Sequence, residues 1–141
     1  MKTSTRQINI FLIHAHRDKE IVFKLYHRMV RDGIHAWLDS QNLQPGQDWQ
    51  HEIRKAILKS DVVVVCLTRG FNEQQGYRHE ELKIALSKAN SLPERQSFII
   101  PARLEACDLP ESLRRWQRVD LFESRGYRKL ADALQQYSKS S

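Results

Sequence analysis

The sequence predicts a single α/β domain, a doubly wound sheet of five mostly parallel strands flanked by helices. Three observations predict it. Short apolar runs alternate with helical patterns from Ile8 to Tyr137 in the order βαβαβαβαβα. Val62 to Leu67 is β-branched without alternation, as a central strand covered on both faces requires. A chain of 141 residues is long enough for one core of a sheet between helices.

Taken in order, Ile8 to His14 reads as the first strand. Ile21, Val22, Leu25, Tyr26, Met29 and Val30 then repeat at helical spacing, with Asp18 as N-cap and Gly33 at C′. Ile34 to Leu38 is a short second strand. Asn42 to Asp48, with Pro45 and Gly46, is a loop, and Asp48 caps a helix whose expected inner face is Trp49, Ile53, Ala56 and Ile57. After Val62 to Leu67, Gly70 to Gly76 reads as a polar, flexible loop, and Leu82, Ala85, Leu86 and Ala89 mark the next helix. Phe98 to Leu104 is a fourth strand in which Pro101, lacking an N–H, predicts an edge or a strand end. Arg118 to Phe122 is a fifth, and Tyr127, Leu130, Leu134 and Tyr137 define the closing helix. The domain is expected over residues 1–137, with 138–141 a polar tail read as the start of a linker to a C-terminal sensor domain.

With 40% apolar and 28% charged residues the composition is ordinary for a globular protein, and no apolar run approaches the roughly 18 residues that span a bilayer. The basic N-terminus lacks a signal-peptide core, so a soluble cytoplasmic protein is expected. Cys66 and Cys107 are expected as free thiols, one in an apolar run and one in a polar loop. The charge of +6 is dispersed, with Arg114, Arg115 and Arg118 its densest group; solvated helix faces explain it, nucleic acid is not an expected partner, and the field favours an anionic small molecule.

A doubly wound sheet binds its ligand outside the carboxyl ends of the strands, which points to the residues after His14, Leu38, Leu67 and Leu104. The sequence carries neither G-x-G-x-x-G nor a P-loop, and its first and third strands end in His14-Ala15-His16 and Cys66-Leu67-Thr68 rather than in the acidic cluster of a phosphoacceptor. His14, His16 and His79 lack metal-ligand spacing and the cysteines form no C-x-x-C, so no metal is expected.

Several stretches at these places resemble the Toll/interleukin-1 receptor (TIR) domain family, particularly its bacterial NAD-cleaving kind. Ile10 to Asp18 is similar to the first box, Trp37-Leu38-Asp39 with Leu43 to Trp49 to the second strand and BB loop, Ser60 to Val65 to the central strand, Tyr77 to Leu82 to the start of the third helix, and Ile99 to Leu104 with Leu109-Pro110 to the fourth strand and its exit. Ile13-His14 stands where many members have Ser-Tyr, and Tyr77 where many have Trp. The resemblance implies a flavodoxin-like fold and cleavage of the nicotinamide–ribose bond, with NAD as substrate and no cofactor.

It implies a catalytic role for Glu81, four residues after the aromatic Tyr77, with Glu80 beside it as an ordinary helix carboxylate. His14, Asp39, Leu43, Gly46 and Tyr77 are implied as substrate contacts; Tyr77 reads equally as a packing aromatic. Asn42, Leu43, Gln44, Pro45, Gly46 and Gln47 form the implied BB loop, which in relatives completes a neighbour's pocket in head-to-tail homo-oligomers. The residues themselves read Trp49 and Cys66 as core and Asp61 as a helix-stop or strand-start residue. An effector role in prokaryotic antiviral signalling is implied, with a sensor domain or subunit as partner. Two other readings stay open, a non-catalytic self-association or adaptor module and an N-glycosidase of the nucleoside deoxyribosyltransferase type.

Overall fold

The computed structural model describes residues 8–38, 42–73, 77–93 and 98–139, excluding the side chains of 72, 73, 77–79, 138 and 139. Five strands, β1 (Asn9–Ile13), β2 (His35–Trp37), β3 (Val62–Leu67), β4 (Ile99–Arg103) and β5 (Val119–Asp120), form one sheet in the order β2-β1-β3-β4-β5. Every pair is parallel. Helices among the described residues include α1 (Lys19–Arg31), α2 (Trp49–Lys59), the short α3 (Arg69–Glu73), α4 (Tyr77–Ser91) and α5 (Gly126–Lys139), with single 3₁₀ turns at His16–Asp18 and Glu111–Leu113.

Alternate residues of the strands feed two cores. Ile10, Leu12, Val62, Val64 and Cys66 pack with Val22, Leu25 and Met29 of α1 and Leu130 and Leu134 of α5. Phe11, Ile13, Val63, Val65 and Leu67 pack with Ile53 and Ile57 of α2 and Leu82, Ala85 and Ala89 of α4. All six residues of β3 are buried, which accounts for its unbroken run of apolar side chains.

The ends of α1 and α2 show why these segments stop where they do. Gly33, at φ +82°, allows its N–H to reach Val30 O while the Ile34 N–H reaches Met29 O at 2.8 Å, the paired bonds of a Schellman cap. Asp48 caps α2 by accepting from the His51 N–H. Asp61 accepts from the Asn9 N–H at 2.8 Å and returns its own N–H to Asn9 O, pinning the starts of β1 and β3 together, as a strand-start residue should.

Four expectations are corrected. The apolar stripe of α1 is narrower than its sequence, because Ile21 and Val30 are about half exposed. Trp49, the first residue of α2, is 42% exposed and not core, although it shares a helix face with the buried Ile53 and Ile57. Arg69–Glu73, overlapping the stretch expected as a loop from Gly70, is helical and contains the buried Phe71. Pro101 sits in an interior strand, opposite Val65. The Leu104 N–H bonds Leu67 O and Arg103 O accepts from Leu121, so even-numbered residues of β4 address β3 and odd-numbered ones address β5. Pro101 therefore faces β5 below its first paired residue, Val119, where no ladder bond is lost.

Candidate functional site

The strand order reverses direction between β1 and β3, and the crevice above their carboxyl ends is where a sheet of this kind holds a ligand. Thr68, just past β3, donates its hydroxyl hydrogen to Asp18 Oδ2 at 2.5 Å, and both residues are buried. Asp18 is held from below by its own N–H on Ala15 O. The expected N-cap thus spends its side chain tying the turn after β1 to the end of β3, and makes no side-chain cap bond to α1. The same carboxylate helps raise the Cys66 thiol: burial first, then Asp18, pushes it up to about 12. Cys66 stays a neutral core thiol and no nucleophile.

Beside this crossing, the side chain of Arg17 lies against Gly70. A Cβ at Gly70 would come within 2.7 Å of Arg17 Cδ and Nε, so the glycine is what lets the guanidinium settle on α3. Neither the Asp18–Thr68 bond nor the Arg17–Gly70 contact was legible from local sequence, because each joins segments about fifty residues apart; the available signal was a polar residue in the turn after each of two adjacent strands.

His14 directly follows β1 and is buried, with Nδ1 2.8 Å from Ala15 O, which makes Nδ1 the protonated nitrogen in that bond. Ala15 joins the core of Phe11 and Ile13, so the strand's alternation continues and turns His14 to the side of Ile10 and Leu12. Glu81 approaches from the opposite face, on α4. Its residue is 2% exposed, one position before Leu82 and one turn before the fully buried Ala85. Glu80 points outward, 65% exposed, and pairs with Lys83 at 3.5 Å. Two adjacent glutamates thus have opposite environments. A carboxylate withdrawn from water is costly, and a helix needing only solubility there keeps it outside, as Glu80 does.

The loop before α2 forms the rim. Asn42 returns its N–H to Leu38 O and accepts the Leu38 N–H on its side-chain oxygen, both at 2.9 Å, closing the neck. Gln44 and Gln47 bond reciprocally around Pro45-Gly46, and Gly46 at φ +89° supplies the left-handed residue that a type II turn requires. Leu43 is half-buried on the α2/α4 core, while Gln44, Pro45, Gly46 and Gln47 project into solvent. Asp39 and the side chain of Tyr77 lie outside the described residues; Tyr77 is the first residue of α4. The Asp18–Thr68 crossing and Arg17 thus lie beyond the carboxyl ends of β1 and β3, Glu81 lies in the second turn of α4, and the Asn42–Gln47 loop leads into α2.

Among the described residues no three metal-ligating side chains gather, and no helix is long and apolar enough to cross a membrane.

Comparison with known proteins agrees with this architecture. The sequence model of the TIR domain family matches residues 10–136. Protein y4cD of Sinorhizobium fredii is 31% identical over 129 residues, covering 89% of this chain and 20% of its own length. The NAD(+) hydrolase TcpA of a Theionarchaea archaeon is 30% identical over 70 residues, 49% of this chain and 21% of its own. The chain thus spans about a fifth of the length of these curated relatives. Among solved structures, the TIR domain of the Toll-related receptor TRR-2 from Hydra magnipapillata superposes with a TM-score of 0.71 at 22% identity, covering 88% of this chain and 95% of that one.

Proposed function

The chain belongs to the TIR family, and from that premise we propose that it cleaves the nicotinamide–ribose bond of NAD with Glu81 as its catalytic carboxylate. The observation that carries the reading is the burial of Glu81 in the second turn of α4 beside a solvent-exposed Glu80. The similarity to an archaeal NAD(+) hydrolase supports it.

The chemistry asks little of the protein. Nicotinamide leaves as a neutral ring because it begins as a cation, so no general acid is needed. Positive charge develops on the ribose, and one carboxylate on that side stabilises it or holds the ribose hydroxyls. Placing that carboxylate in a site of low dielectric strengthens its interaction with the developing charge. Water attacking the anomeric carbon gives ADP-ribose; an attack by the substrate's own nucleophile gives a cyclic isomer. Arg17 at the rim supplies positive charge for the pyrophosphate.

His14, Asp39, Leu43, Gly46 and Tyr77 complete the substrate contacts in this reading. The projecting turn of Gln44 to Gln47 serves a neighbouring copy, so that head-to-tail stacking of domains assembles complete pockets. The chain then acts as the effector of a longer signalling protein in prokaryotic antiviral defence. The much greater length of its curated relatives supports its being part of a longer protein.

The test is nicotinamide release from NAD by the concentrated protein with and without a crowding agent, beside Glu81→Ala and Glu80→Ala. Release lost only in Glu81→Ala upholds the proposal, and the co-product separates hydrolysis from cyclisation. No release where electron microscopy shows stacked filaments overturns it.

A further inference from the structure

On the far side of the sheet from β2, a cleft of about 370 Å³ opens where the chain leaves β4 and returns to β5. Arg103, Arg114, Arg118 and Trp116 line it, with Asp108 as the acidic member. Arg103 is engaged through all three of its guanidinium nitrogens. It donates Nε and Nη2 to the two oxygens of Asp120 at 2.7 and 2.9 Å, and Nη1 to Cys107 O at 2.9 Å.

The other two guanidiniums are held differently. Arg118 donates through Nε to Asp120 Oδ1 at 3.1 Å, and Arg114 through Nε to Leu109 O at 3.1 Å. Each is anchored by the nitrogen nearest its stem, and among the described residues neither has a partner at its Nη nitrogens. Asp120 is shared by Arg103 and Arg118, so three guanidiniums face two carboxylates, Asp108 and Asp120, and the cleft is positive. Arg115, with its Cζ 4.2 Å from the Trp116 ring centroid, adds charge beside it.

We propose that this cleft binds a phosphoryl group, with Arg114 and Arg118 as its ligands. Two forks fixed at Nε, each presenting its terminal N–H groups, match the oxygens of a phosphate dianion and lose little freedom on binding it. Glu81 does not line the cleft, and phosphoryl binding there is measured without reference to NAD cleavage. The phosphoryl group is supplied by inorganic phosphate or by a nucleoside monophosphate, which share that chemistry.

Trp116 reports on the cleft. In ¹⁵N-labelled protein, with its indole resonance assigned through Trp116→Phe, inorganic phosphate, AMP and adenosine are titrated at constant ionic strength. Phosphate and AMP are expected to shift the resonance and adenosine to leave it in place. A lower Kd for AMP identifies the nucleotide as the preferred source; equal values identify phosphate alone. Arg114→Gln and Arg118→Gln, both exposed and checked for folding by circular dichroism, should each raise the Kd about tenfold. Lys24→Gln on α1, removing one charge from the opposite face, should change it less than about twofold. No shift at millimolar phosphate and AMP, equal shifts by adenosine and AMP, or a Kd indifferent to Arg114 and Arg118 overturns the assignment.

Discussion

Thr68 and Asp18, fifty residues apart, share a buried hydrogen bond of 2.5 Å across the gap where the sheet changes direction. The bond gives the carboxylate a partner and joins the two loops that floor the crevice.

Thr68→Val keeps the shape and removes the donor, leaving Asp18 buried without it. A loss of about 1–3 kcal/mol is expected. Asp18→Asn should cost less when combined with Thr68→Val than alone, and a double-mutant cycle by urea denaturation measures the difference.

Gly126 opens α5 with no space for a side chain, because an added Cβ would collide with the backbone of Asp120 and Leu121. Gly126→Ala is expected to cost more than about 3 kcal/mol. Gly70→Ala meets only the flexible side chain of Arg17, and its cost should stay below about 1 kcal/mol. Thermal midpoints of the two variants decide between backbone and side-chain clash.

Asp120 is held at about 2, first by the hydrogen bond from Arg103 and then by that from Arg118. Its folded value is below the unfolded one of about 3.9, so its contribution is complete above that pH and fades as pH falls toward 2. Relative to Asp120→Asn, the wild type should lose on the order of 1–2 kcal/mol between about pH 4 and pH 2. Urea midpoints across this window test it, and parallel curves for the two proteins refute it.

Lys88 donates to Leu58 O and Ser60 O at 2.6 and 2.7 Å, closing the end of α2 from α4. Burial lowers its basicity, and the Phe98 ring lies 4.6 Å from its ammonium. Lys88→Met keeps the stem but leaves two carbonyls without this donor, and about 1–2 kcal/mol of stability should be lost. Hydrogen exchange of the last turn of α2 should rise with it.

The fold was legible because each strand carries its own signal, above all the unbroken β-branched run of β3. Gly33 and Asp48 marked helix ends that a local rule can find. What escaped depended on position in the assembled sheet. Trp49 and Ile21 look like core by spacing alone yet are about half exposed in the assembled domain, and Pro101 looks like an edge until the shortness of β5 explains it. In the candidate site, the choice of Glu81 over Glu80 came from family resemblance. Their burial now distinguishes them physically, whereas the pairing of Asp18 with Thr68 required the topology.

The margins of the sheet are very short, three residues in β2 and two in β5. A strand from another molecule seeking to extend the sheet would find only two or three ladder positions at either margin, too few to hold it. Such abbreviation protects a crowded protein from uncontrolled β-type aggregation. Copies can then be packed at high local concentration, and whatever order they adopt is chosen by side chains on helices and loops.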